Sequence, residues 1–357
     1  MKHTHLAALL SILIVPLAAR TLHAQQPADG PRLHVSGSDI TLDGRVQTLF
    51  DTSSGDSVAP SQIRMRRVWL GATVVLNPLV TGKVQADFAG NRVTLKDAYV
   101  KLTISPAFQL LAGNAYRPFS RLGAGTSDIR ILPIERGLSI RGVGGMEEQA
   151  FVTSLNYTER DIGLQVMGAP KGPLGIQYAA GVFNGPLAGQ VGPQDSYQYV
   201  GRVSVTPMKE LSVGAGFSSR DFAQALPGSS RPDLRRGTAW EGDLEIGGFE
   251  PGFHLLAEAA VGAADPFTSS DFRGASAWLA YRTPPVATGV SALEPTFRAS
   301  AGDLDGVLQP MGGTLLTPGF NLYFGGNNRL MLNLDLWNPA GSAASQHSFK
   351  AMAQMAF

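Results

Sequence analysis

The sequence predicts an all-β fold, a transmembrane antiparallel barrel of about sixteen strands. Apolar and polar residues alternate with a period of two through one run after another, as side chains of a strand do between two different solvents. The links between runs are short and long in turn. Beyond the N-terminal region no segment offers the roughly 18 uninterrupted apolar residues that a membrane helix requires.

The N-terminus reads as a leader. Met1-Lys2-His3 is a short cationic start, and Leu6 to Ala19 is an apolar core too short to span as a helix. Leu22-His23-Ala24 suits cleavage, so residues 1–24 are expected to be a signal peptide and 25–357 one barrel domain. Losing Lys2 and Arg20 takes the formal net charge from +1 to −1, too small a field to draw in nucleic acid. Cysteine is absent, which removes disulfides and thiolate chemistry.

The strands follow in order. Val68, Leu70, Ala72 and Val74 alternate with Arg67, Trp69, Gly71 and Thr73; Gly82, Val84 and Ala86 alternate with Lys83, Gln85 and Asp87. Ala98, Val100 and Leu102 oppose Asp97, Tyr99 and Lys101, and Tyr199, Gly201 and Val203 oppose Arg202 and Ser204. Leu244 and Ile246 oppose Glu241, Asp243 and Glu245; Leu255 and Ala257 oppose His254 and Glu258; Phe297 opposes Glu294 and Arg298. Leu330, Leu332, Leu334 and Leu336 alternate with Arg329, Asn333 and Asp335. In the last run Phe349, Ala351, Ala353, Met355 and Phe357 form a greasy face opposite Lys350 and Gln354. The alternation is blurred near 271–282 and 314–324. A final strand closing on an aromatic residue is a hallmark of bacterial outer-membrane barrels, and Phe357 is expected to present that strand to the barrel assembly machinery.

A β-sandwich alternates too, so the connections discriminate. Asn77-Pro78-Leu79, Ser105-Pro106-Ala107, residues 206–210, 247–250 and 325–327 are tight, while the intervening links are mostly longer, the pattern of periplasmic turns and outer loops. The stretch from Arg117 to Arg160 is far longer than a hairpin loop and falls third among the outer loops. Within it, Ala150 to Tyr157 is expected to pair with Leu138 to Val143 in a folded-in loop.

The runs Arg66-Arg67-Val68-Trp69-Leu70-Gly71, Asp87-Phe88-Ala89-Gly90 and Leu95-Lys96-Asp97-Ala98-Tyr99-Val100 resemble the phosphate-selective porin O and P family. So do Arg117-Pro118-Phe119-Ser120, Glu135-Arg136, Asp161-Ile162-Gly163, Gly181-Val182-Phe183-Asn184-Gly185 and Arg329-Leu330-Met331-Leu332-Asn333, in the same order. The resemblance implies a sixteen-stranded outer-membrane porin, commonly a homotrimer, whose third outer loop folds inward and whose arginines and lysines form an anion path. One departure stands out: where family members often carry a further arginine two positions after the pair, this chain has Trp69.

A Lys or Arg facing lipid at mid-membrane costs about 2–4 kcal/mol, so Arg67, Lys83, Lys101, Arg202, Arg298 and Lys350 are expected to line the channel with Asp97. Acids (Asp87, Glu241, Asp243, Glu245, Glu258, Glu294, Asp335) are interleaved among them. Arg117, Arg121, Arg130, Arg136 and Arg141 are the candidate constriction residues, the last three as a local anion cluster. Trp69, Trp240, Trp278, Trp337, Tyr116 and Tyr281 are candidate interface anchors, although Trp69 is phased toward the lumen.

Catalytic and cofactor signatures are lacking. There is no histidine pair at zinc-ligand spacing, no G-x-S-x-G elbow and no Walker-type Gly-Lys-Ser/Thr. The expectation is therefore a passive channel for small anions or polar solutes, without metal or cofactor. The alternatives are an adhesin or structural barrel and, on His254 near Glu258, an outer-membrane hydrolase.

Overall fold

Strand after strand pairs with its chain neighbour, because hairpin links bring consecutive amphipathic runs together before any distant partner competes. The computed structural model describes residues 32–35, 38–185, 196–224, 232–305 and 311–357; the expected leader, 1–24, lies outside them. The strands are β1 (Arg32–Val35), β2 (Ser38–Thr52), β3 (Ser61–Val75), β4 (Val80–Asp87), β5 (Thr94–Ser105) and β6 (Phe108–Tyr116). After the long link come β7 (Arg160–Gly168), β8 (Gln177–Phe183), β9 (Gln198–Met208), β10 (Leu211–Gln224), β11 (Asp233–Gly247) and β12 (Gly252–Asp265). The chain ends with β13 (Ser270–Arg282), β14 (Ala292–Leu304), β15 (Gly313–Gly325), β16 (Asn328–Pro339) and β17 (Gln346–Ala356). The short β1 folds back on the start of β2. From β2 to β17 each strand pairs antiparallel with the next, and β17 returns to β2 with Lys350 opposite Asp51 and Ala356 opposite Arg45. Sixteen strands thus close on themselves, leaving no open edge.

The blurred runs prove regular, as β13 and β15. Tight links 76–79, 106–107, 209–210, 248–251 and 326–327 gather at one end, the periplasmic end in an outer membrane. Links 169–176 and 283–291 share that end without being tight, so the asymmetry is less strict than the sequence suggests. The seam closes tightly: Gly44 and Phe357 exchange backbone hydrogen bonds of 3.0 and 3.1 Å. A Cβ at Gly44 would stand 2.4 Å from the Phe357 ring, so only glycine lets the last residue lie flat there.

Alternation sets the faces. On β14, Glu294, Thr296, Arg298 and Ser300 are buried inward while Phe297 is exposed on the outside. Two of the expected interface anchors, Trp278 and Trp337, instead point inward and are buried, and Trp69 is buried inward as its phase requires. Tyr116 also faces the interior, near Asp128 of the long link, whereas Trp240 and Tyr281 lie on the exposed outer surface. Trp278 and Trp337 find apolar partners inside the barrel and Trp69 finds cations, so none needs a lipid interface.

One irregularity matters for function. Gln47 pairs with Arg67 but Thr48 pairs with Met65, so Arg66 is an extra residue bulged out of β3. The bulge shifts the facing by one, and Arg66 and Arg67 both turn inward although they are adjacent. Without it one guanidinium would face lipid.

Candidate functional site

Residues 117–159 connect β6 to β7 and lie against the inward-facing side chains of the wall. Their apolar side chains supply the reason. Leu122, Ile131 and Leu132 pack with Leu256, Trp278 and Ala280; Ile134 packs with Leu49, Met331 and Met352; Ile140 packs with Leu315 and Trp337. Phe119, Phe151, Val152 and Tyr157 join Phe183, Ala239, Ala260 and Phe272. Fully burying one such side chain is worth about 1.5–3 kcal/mol, and here wall and segment bury each other.

An extended segment away from any sheet still needs its backbone groups paired. Wall side chains do this. Arg298 donates to the carbonyls of Glu135 (2.8 Å) and Arg136 (3.0 Å), and Arg329 to those of Ile131 (2.8 Å) and Ile129 (3.1 Å). Asn321 and Gln354 donate to Leu132 and Ile129, both at 3.1 Å, and Asn333 accepts from the Ile134 amide at 2.6 Å. Arg329, Gln354 and the Asn327 carbonyl that Gln354 also reaches lie at the tight-link end, so the segment's apex descends nearly the height of the barrel.

Past the apex the segment climbs to α1 (Glu148–Ser154). The expected pairing of Ala150 to Tyr157 with Leu138 to Val143 gives way to this helix. Glu147 decides for helix, because its carboxylate accepts from the amides of Gln149 and Ala150, both at 3.1 Å, and so caps the first turn. Gly274 and Gly302 on the wall make room for it: Cβ atoms there would stand 2.6 Å from the Glu148 Cβ and 2.8 Å from the Glu147 Cα.

Between the segment and the wall of β3–β7 remains a polar cavity of about 330 Å³, lined by Arg66, Arg67, Trp69, Lys96, Arg136 and Arg160 with Asp87, Asp128, Glu135 and Glu159. The bulged Arg66 chelates Glu135 with both nitrogens of one edge, the Nη2 bond being 2.6 Å. Arg67 Nη2 stands 3.8 Å from both Asp128 and Glu135 and its Nη1 donates to Gln47 at 2.9 Å. Arg136 holds Asp128 at 2.9 Å. The Trp69 ring carries three cations, Arg45 at 3.8 Å, Arg160 at 5.2 Å and Lys96 at 5.4 Å, so the residue that replaces an expected arginine organises others. Cations outnumber acids around this opening.

Electrostatics keep Glu135 and Asp128 ionised beside this opening. Burial pushes the Glu135 carboxyl up, but Arg66 beside it wins and holds it down at about 2. Asp128 is likewise held far below the usual carboxylate range, against burial, by Arg136 and Arg67.

The opposite wall is acidic. Arg121, in a single π-helical turn (Arg121–Gly125), bonds Asp243 and Glu245 at 2.5 Å and Ser212 at 2.7 Å. Arg202 bonds Asp243 at 2.5 Å and also Glu241. His254 meets Glu245 at 2.9 Å, and among the described residues no serine hydroxyl hydrogen-bonds it.

The candidate residues therefore divide. Arg67 and Arg136 meet at the opening, while Lys83 and Arg160 share Asp97 at 3.2 and 2.6 Å. Lys101 faces inward with no ion-pair partner among the described residues, and Arg202 lines a second hollow of about 300 Å³ with Gln109, Gln177 and Ser204. Arg298 and Lys350 face inward but are only 1% exposed, covered by the segment and bonded to Asp335. Arg117 is buried at the segment's root on Gln198 (2.6 Å) and the Thr158 carbonyl. The expected cluster of Arg130, Arg136 and Arg141 does not form. Arg130 stacks on Phe249 at the tight-link end (5.6 Å), Arg136 sits at the opening, and Arg141 ties Asp51 (2.8 Å) and Asp56 (2.7 Å) near the link 53–60. The extended segment carries the three arginines to different heights in the barrel. Arg66, Arg45 and Lys96 were missed; the adjacent arginine pair was the signal for a bulge.

The family model for phosphate-selective porin O and P matches residues 40–235. No curated protein sequence matches the chain. Among solved structures, the outer membrane channel DcaP of Acinetobacter baumannii aligns with a TM-score of 0.63 at 13% identity, over 92% of this chain and 100% of that one. The anion-selective porin from Comamonas acidovorans gives 0.62 at 14%, over 90% and 100%. OmpT of Vibrio cholerae in its trimer form gives 0.58 at 12%, over 90% and 100%. At such identities the likeness speaks for the barrel alone.

Proposed function

Since the chain belongs to the phosphate-selective porin O and P family and is an outer-membrane channel protein, we propose that it passes small anions and polar solutes by passive diffusion, with mild anion preference and no catalytic role. The observation that carries this is the opening beside Arg66, Arg67, Lys96 and Arg160, where cations exceed acids without overwhelming them. A bound anion gains about 4 kcal/mol from one close guanidinium at an effective dielectric near 20, and each nearby carboxylate subtracts a comparable amount. Phosphate is one candidate solute among several.

Residues 117–159 set the limiting aperture in this reading, since they cover the wall of β12–β17 and leave the passage to the wall of β3–β9. A homotrimer also fits: β8 has only seven residues and β6 and β7 nine each, at or below the lower bound of the roughly 9–11 that cross a bilayer. The apolar outer hollow over them would then be covered by a second copy. Contact with the barrel assembly machinery through β17 and Phe357 belongs to the same proposal.

Purified protein in planar bilayers should give stepwise conductance. A folded but silent barrel would favour the adhesin or structural reading, and esterase activity lost in His254→Ala would favour the hydrolase.

A further inference from the structure

Helix α1 separates two unlike environments. Gln149, Ala150 and Thr153 border the opening, while Glu148, Phe151 and Val152 are buried on the side of the wall. Beneath that side carboxyl groups crowd together. Glu147 and Glu148 are fully buried, and Glu258 of β12 and Glu241 of β11 nearly so. The Gln149 side-chain nitrogen donates to Glu148 at 2.8 Å and to Glu258 at 3.2 Å, so one amide bridges the helix carboxyl and the wall carboxyl. Glu258 also accepts from the Ser120 hydroxyl (2.6 Å) and the Leu122 amide (2.9 Å).

The cations nearby are committed elsewhere. Arg202 serves Glu241 and Asp243 from β9, and Arg121 serves Asp243 and Glu245 from the π-helical turn. Arg298 of β14 faces Glu147 and bonds Asp335 and the segment's carbonyls. β13 offers Gly274 and Ser276 there, neither charged. Among the described residues no cation hydrogen-bonds Glu148 or Glu258. Burial, then the charges of Glu258 and Glu147, hold the Glu148 carboxyl well above the usual carboxylate range. The Gln149 amide thus holds the two carboxyls side by side, and buried carboxyls held so resist carrying both charges.

We propose that Glu148 and Glu258 share a proton that latches α1 onto β12–β14, and that its loss to bulk water at alkaline pH frees the helix and widens the opening. The proposal rests on the channel reading for its consequence, not for the latch itself. The sign follows from linkage: the docked helix binds the proton more tightly than the released one, so docking is strongest below the ordinary carboxylate range. It is lost as pH rises through the raised value. Glu147 cannot substitute, because its oxygens are taken by the amides of Leu138, Gln149 and Ala150.

The test pairs two readouts between about pH 5 and about pH 10. One is single-channel conductance. The other is the mobility of a nitroxide label at Ser154→Cys, unique because the chain has no cysteine. Conductance and label mobility should rise together as pH rises. Glu148→Gln keeps an uncharged side chain at every pH and should hold both at their low-pH values, as should Glu258→Gln. A label that stays immobile throughout in the unmutated background overturns the latch, and so does an undiminished rise in both glutamine variants. A label that loosens in a barrel that never conducts would confirm the latch and sink the channel reading.

Discussion

The two sides of the lumen grip the same inner segment with opposite chemistry. On β2–β5 the wall supplies the cations, Arg66 and Arg67, and the segment the acids, Glu135 and Asp128. On β11–β12 the wall supplies the acids, Asp243, Glu245 and Glu258, and the segment answers with Arg121 and the Leu122 amide. The first contact is cation-rich and borders open space; the second is acid-rich and closed over. A balanced net charge along the chain therefore hides a lumen whose polarity is sorted by position. Selectivity follows from which side the passage keeps open, not from the sum of charges.

Removing the segment should abolish the comparison and have the largest effect. Replacing residues 122–143 by a short Gly/Ser link would uncover Arg298, Lys350 and Asp335, and conductance should rise about twofold or more, because sixteen-stranded barrels left unfilled hold an aqueous channel. Unchanged conductance in a barrel that still resists unfolding would show that the segment does not limit flow.

A smaller change weakens the basic side alone. Glu135→Gln leaves Arg66 and Arg67 without their shared carboxylate, a loss softened because Arg66 borders open space and Arg67 keeps Asp128. The variant should unfold at lower temperature and shift toward anions, with the heat-induced gel shift and reversal potential as readouts; a shift toward cations would contradict the placement. Acid provides the matching control. A carboxylate whose value is depressed contributes stability above the ordinary range and loses it only as pH falls through the depressed value. With Glu135 held at about 2, the basic-side contact should survive mild acid, whereas the Glu148 contact fails first at alkaline pH.

The barrel was legible in the sequence because lipid allows only one face per strand, so each run declared its phase independently. The lumen was less legible. Trp278, Trp337 and Leu256 face inward because another part of the chain is packed on them, and alternation between lipid and water does not anticipate that. Arg298 and Lys350 were correctly phased inward, yet phase does not say what covers a residue. The bulge at Arg66 was written in two adjacent arginines, since one of them would otherwise lie in lipid. Glu147 ahead of Gln149 and Ala150 suits a helix cap, but a loop paired with Leu138 to Val143 leaves no helix for it to cap.

The most direct test of the account is the reversal potential of single channels in a KCl gradient, measured with and without added phosphate. A lumen sorted as described, with cations only narrowly exceeding acids at an opening beside Asp128 and Glu135, predicts a small potential of anionic sign that phosphate changes little. A potential of cationic sign would contradict it, because the passage would then follow the β11–β12 side. Strong anion selectivity abolished by micromolar phosphate would contradict it from the other direction, showing that the carboxylates at the opening do not offset Arg66, Arg67 and Lys96.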